Sequence, residues 1–176
     1  MNNQLTAIRS VMSTTVARWR TLIEAVPLEL LERAPQPGEW STLECLRHIV
    51  MVDRDDFGVR LEHFLDRRPE LVPHDPDAPR KPEPERSAQE LVEAFASQRE
   101  KHLAVVARLT ATDLDLSSHH PKFGSVKLGH LLNLWAAHDL QHTVQAEEAV
   151  MQIFIPETGP WRWEFAEHDV DAPASI

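Results

Sequence analysis

The sequence predicts an all-α fold, a four-helix bundle with a long proline-rich crossover between its second and third helices. Four stretches repeat apolar residues every three or four positions, which is the spacing of one buried helix face. Two of these stretches open with a Ser-x-x-Glu capping box. No stretch alternates apolar and polar residues convincingly, so the prediction contains no β-strand.

The first two helices are defined by their apolar faces and by the residues at their ends. Residues 4–26 carry an apolar stripe with a period near 3.6, and Pro27 ends this helix. The second helix begins at a capping box formed by Ser41 and Glu44 and is predicted to run to about Asp66. It carries a second apolar stripe.

A crossover separates the first pair of helices from the second pair. Prolines recur among charged residues over 67–86, so this segment is predicted to cross the surface without contributing to the core. Another capping box, at 87–90, begins the third helix, whose stripe ends at Leu109. Residues 110–124 are rich in Asp, Ser, Pro and Gly and are predicted to form a loop.

The fourth helix is predicted to run from about Ser125 to Gln152. Its buried side is expected to contain Leu128, Leu131, Leu132, Trp135, Leu140, Val144 and Ala146. We therefore predict one bundle domain over residues 1–163, followed by a polar C-terminal tail over 164–176.

Charge and cysteine content exclude several classes of function. The formal net charge is −10 and no basic run is present, which argues against nucleic acids and anionic membranes as direct ligands. Cys45 is the only cysteine and has no partner for an internal disulfide, which fits a reducing compartment. No secretory leader and no apolar run of the ~20 residues that span a membrane is found, so we expect a cytoplasmic protein.

His138 and His142 are the main functional signal. Residues four apart leave the same face of a helix about 6 Å apart along its axis, so both imidazoles can reach one metal ion at roughly 2.0–2.1 Å. Both continue the stripe of Trp135 into the bundle, where unpartnered imidazoles are costly to desolvate. His48 in the second helix offers a third ligand, with a core histidine bonded to a backbone carbonyl as the alternative.

Five further residues near this pair are candidates for supporting roles. Glu44, mainly a capping residue, and Gln145 are candidates for contacts with the ligands, and His102 is either a substrate contact or a satisfied core histidine. Cys45 is either a ligand or nucleophile, or an inert buried thiol. Asp139 is either exposed to solvent or bonded to a neighbouring helix.

The other histidines and three tryptophans are assigned to positions away from the metal. His130 lies about 12 Å along the helix from His138, too far to share its metal. His119 and His120 are placed in the loop before the fourth helix. The histidines predicted at the surface are His63, His74 and His168. The tryptophans predicted to pack at the bundle ends are Trp40, Trp135 and Trp161, with Trp161 also a candidate to close the pocket.

Three segments together resemble the DinB-like superfamily. Gly38-Glu39-Trp40-Ser41, Glu44 and His48-Ile49 resemble the start of its second helix. Residues 120–145, with His138-Asp139-Leu140-Gln141-His142, resemble its fourth helix, and Gly159-Pro160-Trp161 recurs in one branch of the family. The resemblance extends from the first helix to about residue 163.

The resemblance implies that His48, His138 and His142 bind one divalent metal ion. Three neutral ligands leave an open coordination position, which is usual in catalytic sites, whereas structural zinc sites are closed by four ligands. Zinc is the first candidate, with nickel, iron, copper and manganese as alternatives, because imidazole ligation does not choose among them.

Family members of known activity include transferases and an isomerase that use a low-molecular-weight thiol. The resemblance therefore implies a metal-dependent thiol S-transferase that acts on a small electrophile. A metal-hydroxide hydrolase with the same residues is the closest enzymatic alternative. A non-catalytic metal-binding stress-response module, with a homodimer as an open question, is the alternative from another class. A pocket that reaches the open coordination position favours an enzyme, and a sealed site favours the module.

Overall fold

The computed structural model describes residues 3–71 and 86–169, and its core is formed by four long helical segments. The helices are α1 (Asn3–Ala25), α2 (Leu28–Leu31), α3 (Thr42–Val52), α4 (Gly58–Leu65), α5 (Ala88–Val106) and α6 (Leu128–Phe154). α1 and α3 each pack against both α5 and α6, so the predicted four-helix bundle is confirmed. Most of the predicted crossover, residues 72–85, lies outside the described residues.

Both predicted capping boxes are present. The Ser41 hydroxyl accepts from the Glu44 amide at 3.2 Å, and the Glu44 carboxylate accepts from the Ser41 amide at 2.8 Å. Ser87 and Glu90 make the same reciprocal pair at the start of α5. Each box satisfies two helix-terminal amides that have no partner within the helix, which fixes where α3 and α5 begin.

The second helical segment contains a π-helical turn, Asp53–Phe57, between α3 and α4. The Gly58 amide donates to the Asp53 carbonyl five residues earlier, and both Asp53 and Phe57 are buried. Glycine suits the position after this turn, because a Cβ at position 58 would lie 2.6 Å from Nε2 of His102 and the ring would have to shift. The apolar spacing predicted one uninterrupted helix here, because no residue pattern in this stretch marks the π-turn.

A short β-hairpin corrects the prediction of a loop over residues 110–124. β1 (Ser117–His120) pairs antiparallel with β2 (Gly124–Lys127), so His119 and His120 lie on a strand. Each strand has only four residues and most are polar, so neither produces a recognisable alternation. The fourth helix consequently begins at Leu128, three residues after the predicted start.

The buried face of α6 differs from the prediction at two positions. Leu140 is 41% exposed and Val144 is 47% exposed, although both were expected on the buried side. Here the helix face that points inward carries two polar residues, Asp139 and His142. A prediction based on apolar spacing favours the neighbouring leucine and valine for this face. The other five predicted residues of this face are buried.

The segment after α6 forms 3-10 helical turns over Ile155–Phe165. Trp161 is 63% exposed, so the prediction that it packs at a bundle end is wrong. The division of the chain at residue 163 stays a prediction. Among the helices of the described ranges, none combines the length and apolar character needed to cross a membrane.

Candidate metal centre

The packing of α3 against α6 brings His48, His138 and His142 together. Nε2 of His48 lies 3.2 Å from Nε2 of His138, and one nitrogen from each of the three rings lies within 4.8 Å of the others. Tetrahedral ligands at about 2.0–2.1 Å from one ion are themselves about 3.4 Å apart. We call these three residues the histidine cluster, and their spacing fits a single metal ion.

A hydrogen bond fixes the tautomer of one ring. The amide Oε1 of Gln145 lies 2.9 Å from Nδ1 of His142, and an amide oxygen can only accept. Nδ1 of His142 therefore carries the proton, and the lone pair of Nε2 is left for a ligand. Such a partner behind the ring is the usual companion of a metal-binding histidine.

His138 is less completely satisfied by the protein. Its Nδ1 is buried and has no hydrogen-bond partner among the described residues. Its Nε2 faces Nε2 of His48 at hydrogen-bond distance, so in a neutral pair one of these nitrogens donates to the other. The described residues thus satisfy one nitrogen of the His138 ring and leave the other without a partner.

Burial favours the neutral form of His138 and His142. Burial, together with the neighbouring His142 and His48 rings, lowers the pKa of His138 to about 4. Burial also lowers the pKa of His142, although the hydrogen bond to Gln145 opposes this effect. Neutral imidazoles have lone pairs available at pH 7, which is the protonation state that metal binding requires.

Aromatic rings enclose the histidine cluster on two sides. Trp40 stacks on His142 at 5.7 Å between ring centroids and lies 4.8 Å from His48, so it covers the cluster while 36% exposed. Phe57 meets His138 edge-on at 5.3 Å. Trp40 was predicted to pack at a bundle end, and Phe57 was not predicted to contact the site.

Comparison with known proteins assigns the family. The sequence profile of the DinB superfamily matches residues 12–146, a span that includes the whole histidine cluster. The chain belongs to the DinB superfamily. YfiT from Bacillus subtilis, whose structure is described as that of a probable metal-dependent hydrolase with an unusual four-helix bundle topology, has a similar fold. The two share 16% identity with a TM-score of 0.74 over 87% of this chain and 89% of the other. No curated protein sequence matches significantly.

Two candidate residues of this DinB-superfamily chain do not join the cluster. The Glu44 carboxylate is bonded to the Ser41 amide, which confirms its capping role. Cys45 is fully buried, and burial raises the pKa of its thiol to about 12. Of the two alternatives for Cys45, the structure supports the inert buried thiol. Within 3–71 and 86–169, the group of metal-ligand type formed here contains only the three histidines.

Behind the cluster lies a buried ion network centred on Arg99, which sequence analysis did not identify. Arg99 is 0% exposed and donates to Asp53 at 2.6 and 2.9 Å, and to Asp139 at 3.0 Å and through a second, shorter contact. It also donates to the Met12 carbonyl at 3.2 Å. Burial raises the pKa of Asp139, and the hydrogen bond and charge of Arg99 oppose this effect. Of the two alternatives for Asp139, the structure shows the bond to a neighbouring helix. We call Asp53, Arg99 and Asp139 the arginine cluster.

Asp53 is the acceptor at the centre of this network. Besides Arg99, it accepts from Trp135 Nε1 at 3.0 Å, Gln98 at 2.6 Å and His102 Nδ1 at 3.0 Å. Burial alone would raise the pKa of Asp53, but the His102 hydrogen bond and the Arg99 charge outweigh it and lower the pKa. His102 is therefore a satisfied histidine with a carboxylate partner, and its assignment as a substrate contact gains no support.

The remaining histidines are spread over the molecule. His63 is only 6% exposed, and its Nε2 lies 3.2 Å from Nη1 of Arg68. The prediction that His63 lies at the surface is therefore wrong. His63 follows the π-turn, whose extra residue changes which face of the helix points inward. The exposed ones are His119, His130 and His168, and His120 is half-buried. His74 lies outside the described residues.

Proposed function

We propose that this DinB-superfamily chain binds one divalent metal ion through His48, His138 and His142 and uses it to activate a small nucleophile. The observation that carries the proposal is the convergence of one imidazole nitrogen from each of the three residues within 4.8 Å of the others, between two helices, with His142 buried and the other two half-buried. Zinc is the first candidate, because it favours nitrogen ligands in a four-coordinate site that keeps one position for substrate.

The bound ion would lower the pKa of a thiol or a water molecule that it contacts. The residues around it have separate tasks. Gln145 holds the His142 ring with its Nε2 lone pair toward the ion, and Phe57 limits access of water beside His138. Trp40 is partly exposed and lies over two of the rings, so it is the side chain that an incoming small molecule would meet.

Transfer of a low-molecular-weight thiol to a small electrophile fits this donor set. No carboxylate of the described residues groups with the three histidines at ligand distance, so the ion itself would have to activate the nucleophile. A thiol has a pKa near 8.5 and loses its proton far more readily than water does. In the reaction a carbon–sulfur bond forms, the leaving group departs with its electron pair, and the thiol proton passes to solvent.

Hydrolysis is the second candidate, and a specific observation favours it. YfiT, whose fold is similar over most of both chains, is described as a probable metal-dependent hydrolase. The same three histidines would serve a hydrolase in which water takes the place of the thiol. At 16% identity the similarity to YfiT concerns the fold. It makes hydrolysis a candidate activity for this chain and does not assign it.

Activity of metal-loaded protein distinguishes the candidates. Metal-free protein would be supplied with zinc, manganese or nickel and assayed with glutathione plus an activated aryl halide, and separately with p-nitrophenyl acetate. We expect metal-dependent loss of free thiol that His142→Ala abolishes and that the exposed-residue control His119→Ala retains. Metal-dependent ester cleavage without thiol consumption would instead support the hydrolase. Inactivity in both assays with metal bound would support a non-catalytic module.

A further inference from the structure

The arginine cluster joins the two helical segments that carry the metal ligands. Asp53 follows His48 by five residues on the second segment, and Asp139 directly follows His138 on α6. Arg99 comes from α5, which contributes no ligand, and its guanidinium bonds to both carboxylates. One side chain therefore connects the two halves of the site from behind.

This connection is rigid. Arg99 and both carboxylates are at most 1% exposed, and the planar guanidinium bonds to each carboxylate through two contacts. Its charged carbon lies 4.7 Å from the centre of the Phe95 ring and 5.4 Å from that of Trp135. A guanidinium held by directional hydrogen bonds on its edge and by rings on its faces has one allowed orientation.

A chain of contacts leads from this network to the histidine cluster. Trp135 donates to Asp53 and stacks on Phe57 at 5.0 Å, and Phe57 meets the edge of His138 at 5.3 Å. On α6 the backbone leads directly from Asp139 to His138. A shift of α6 relative to α3 would therefore change the arginine cluster and the spacing of the ligand nitrogens together.

Stability alone does not account for such a network. Replacing a buried ion triad with apolar residues of similar volume is often neutral or stabilising, because desolvation offsets the charge attraction. A metal site has a narrower requirement, since its ligands must be held within about 0.5 Å of their working geometry. We infer that Arg99 is a positioning residue for the metal centre, setting the placement of α3 and α6 that brings His48 to His138 and His142.

The inference rests on the proposed metal site, so the experiment first measures zinc affinity of the wild-type protein by competition with a chelator. Arg99→Lys keeps the charge and loses the planar fork. We expect this variant to remain helical by circular dichroism and to bind zinc about 10- to 100-fold more weakly. Substitution of residues that support metal ligands from behind typically lowers metal affinity by this factor. The visible absorption of the cobalt-loaded variant should also differ from wild type, because these bands report ligand geometry.

The matched control is Val92→Ala, a fully buried position on α5 in the other half of the core. It should unfold at lower denaturant concentration and keep wild-type zinc affinity and cobalt spectrum. If Arg99→Lys does not fold, Asp139→Asn is judged by the same criteria.

Wild-type affinity and spectrum in a folded Arg99→Lys variant would overturn the inference, as would equal losses in Val92→Ala. Failure of the wild-type protein to bind zinc or cobalt would overturn the metal centre itself, which is a separate result.

Discussion

Two polar clusters lie side by side inside this bundle, and they differ in how far the protein satisfies them. In the arginine cluster each carboxylate and each guanidinium nitrogen has a protein partner. In the histidine cluster the rings face one another, and Nδ1 of His138 has no partner among the described residues. The first cluster is complete as protein alone, whereas the second has ring nitrogens close enough together to bind one cation.

The difference separates two roles that burial alone would not distinguish. A buried charge network that is fully paired holds the helices in one arrangement. Buried neutral histidines whose lone pairs converge are a ligand set, since each ring can donate a lone pair to the same ion. The two clusters should therefore respond differently to substitution, to added metal and to acid.

The largest expected effect is the loss of the arginine at the centre of its cluster. Arg99→Met should lower the free energy of unfolding by about 3–5 kcal/mol, because two carboxylates stay buried without a cation. Denaturant unfolding followed by circular dichroism measures this loss. The control Arg20→Met breaks an exposed pair with Glu93 and should leave the free energy of unfolding close to that of the wild type. Equal, small losses in both variants would contradict the account.

Metal should stabilise the protein through the histidine cluster alone. A divalent ion at 100 times its dissociation constant should add about 2.7 kcal/mol to the free energy of unfolding, because it binds the folded state only. Thermal unfolding with and without zinc measures the change. His138→Leu should show no such increase. An equal increase in this variant would mean that the ion binds elsewhere.

Loss of the partner behind His142 should weaken metal binding without removing it. Gln145→Leu should reduce zinc affinity about 10-fold, or about 1.4 kcal/mol, because the His142 tautomer is no longer fixed. Chelator competition measures the affinity. Gln141→Leu, at an exposed position of the same helix, is the control and should match wild type. Unchanged affinity in Gln145→Leu would remove that residue from the site.

A separate expected effect is the response of metal-free protein to acid. Because the pKa of His138 is about 4 in the folded state and about 6.5 unfolded, the unfolded chain binds more protons between these values. The free energy of unfolding should therefore fall as pH drops from about 6.5 to about 4. His138→Leu should show a shallower fall in denaturant titrations at each pH, and an identical slope would contradict the assignment.

The sequence predicted the helices and two of the three candidate ligands because these follow local rules. Capping boxes at Ser41 and Ser87 mark helix starts, and the i, i+4 spacing of His138 and His142 places two rings on one face. His48 was less certain from its own surroundings, and the family resemblance supplied its role.

Features that depend on tertiary contacts could not be predicted in this way. Arg99 looks like an ordinary charged residue of an amphipathic helix, and its burial follows only from two carboxylates on other helices. The π-turn that directs Asp53 and Phe57 inward has no local signature here. Leu140 and Val144 were predicted to be buried because they are apolar, but the helix face that points inward carries Asp139, and both residues are exposed.

Metal content of the protein tests the central claim most directly. Untagged protein, purified without a metal column, would be compared with His48→Ala, His142→Ala and the control His119→Ala by elemental analysis. The account predicts one equivalent of a divalent metal in the wild type and in His119→Ala, and its loss in both other variants. No metal in the wild type, or full retention in His48→Ala and His142→Ala, would contradict the three-histidine site.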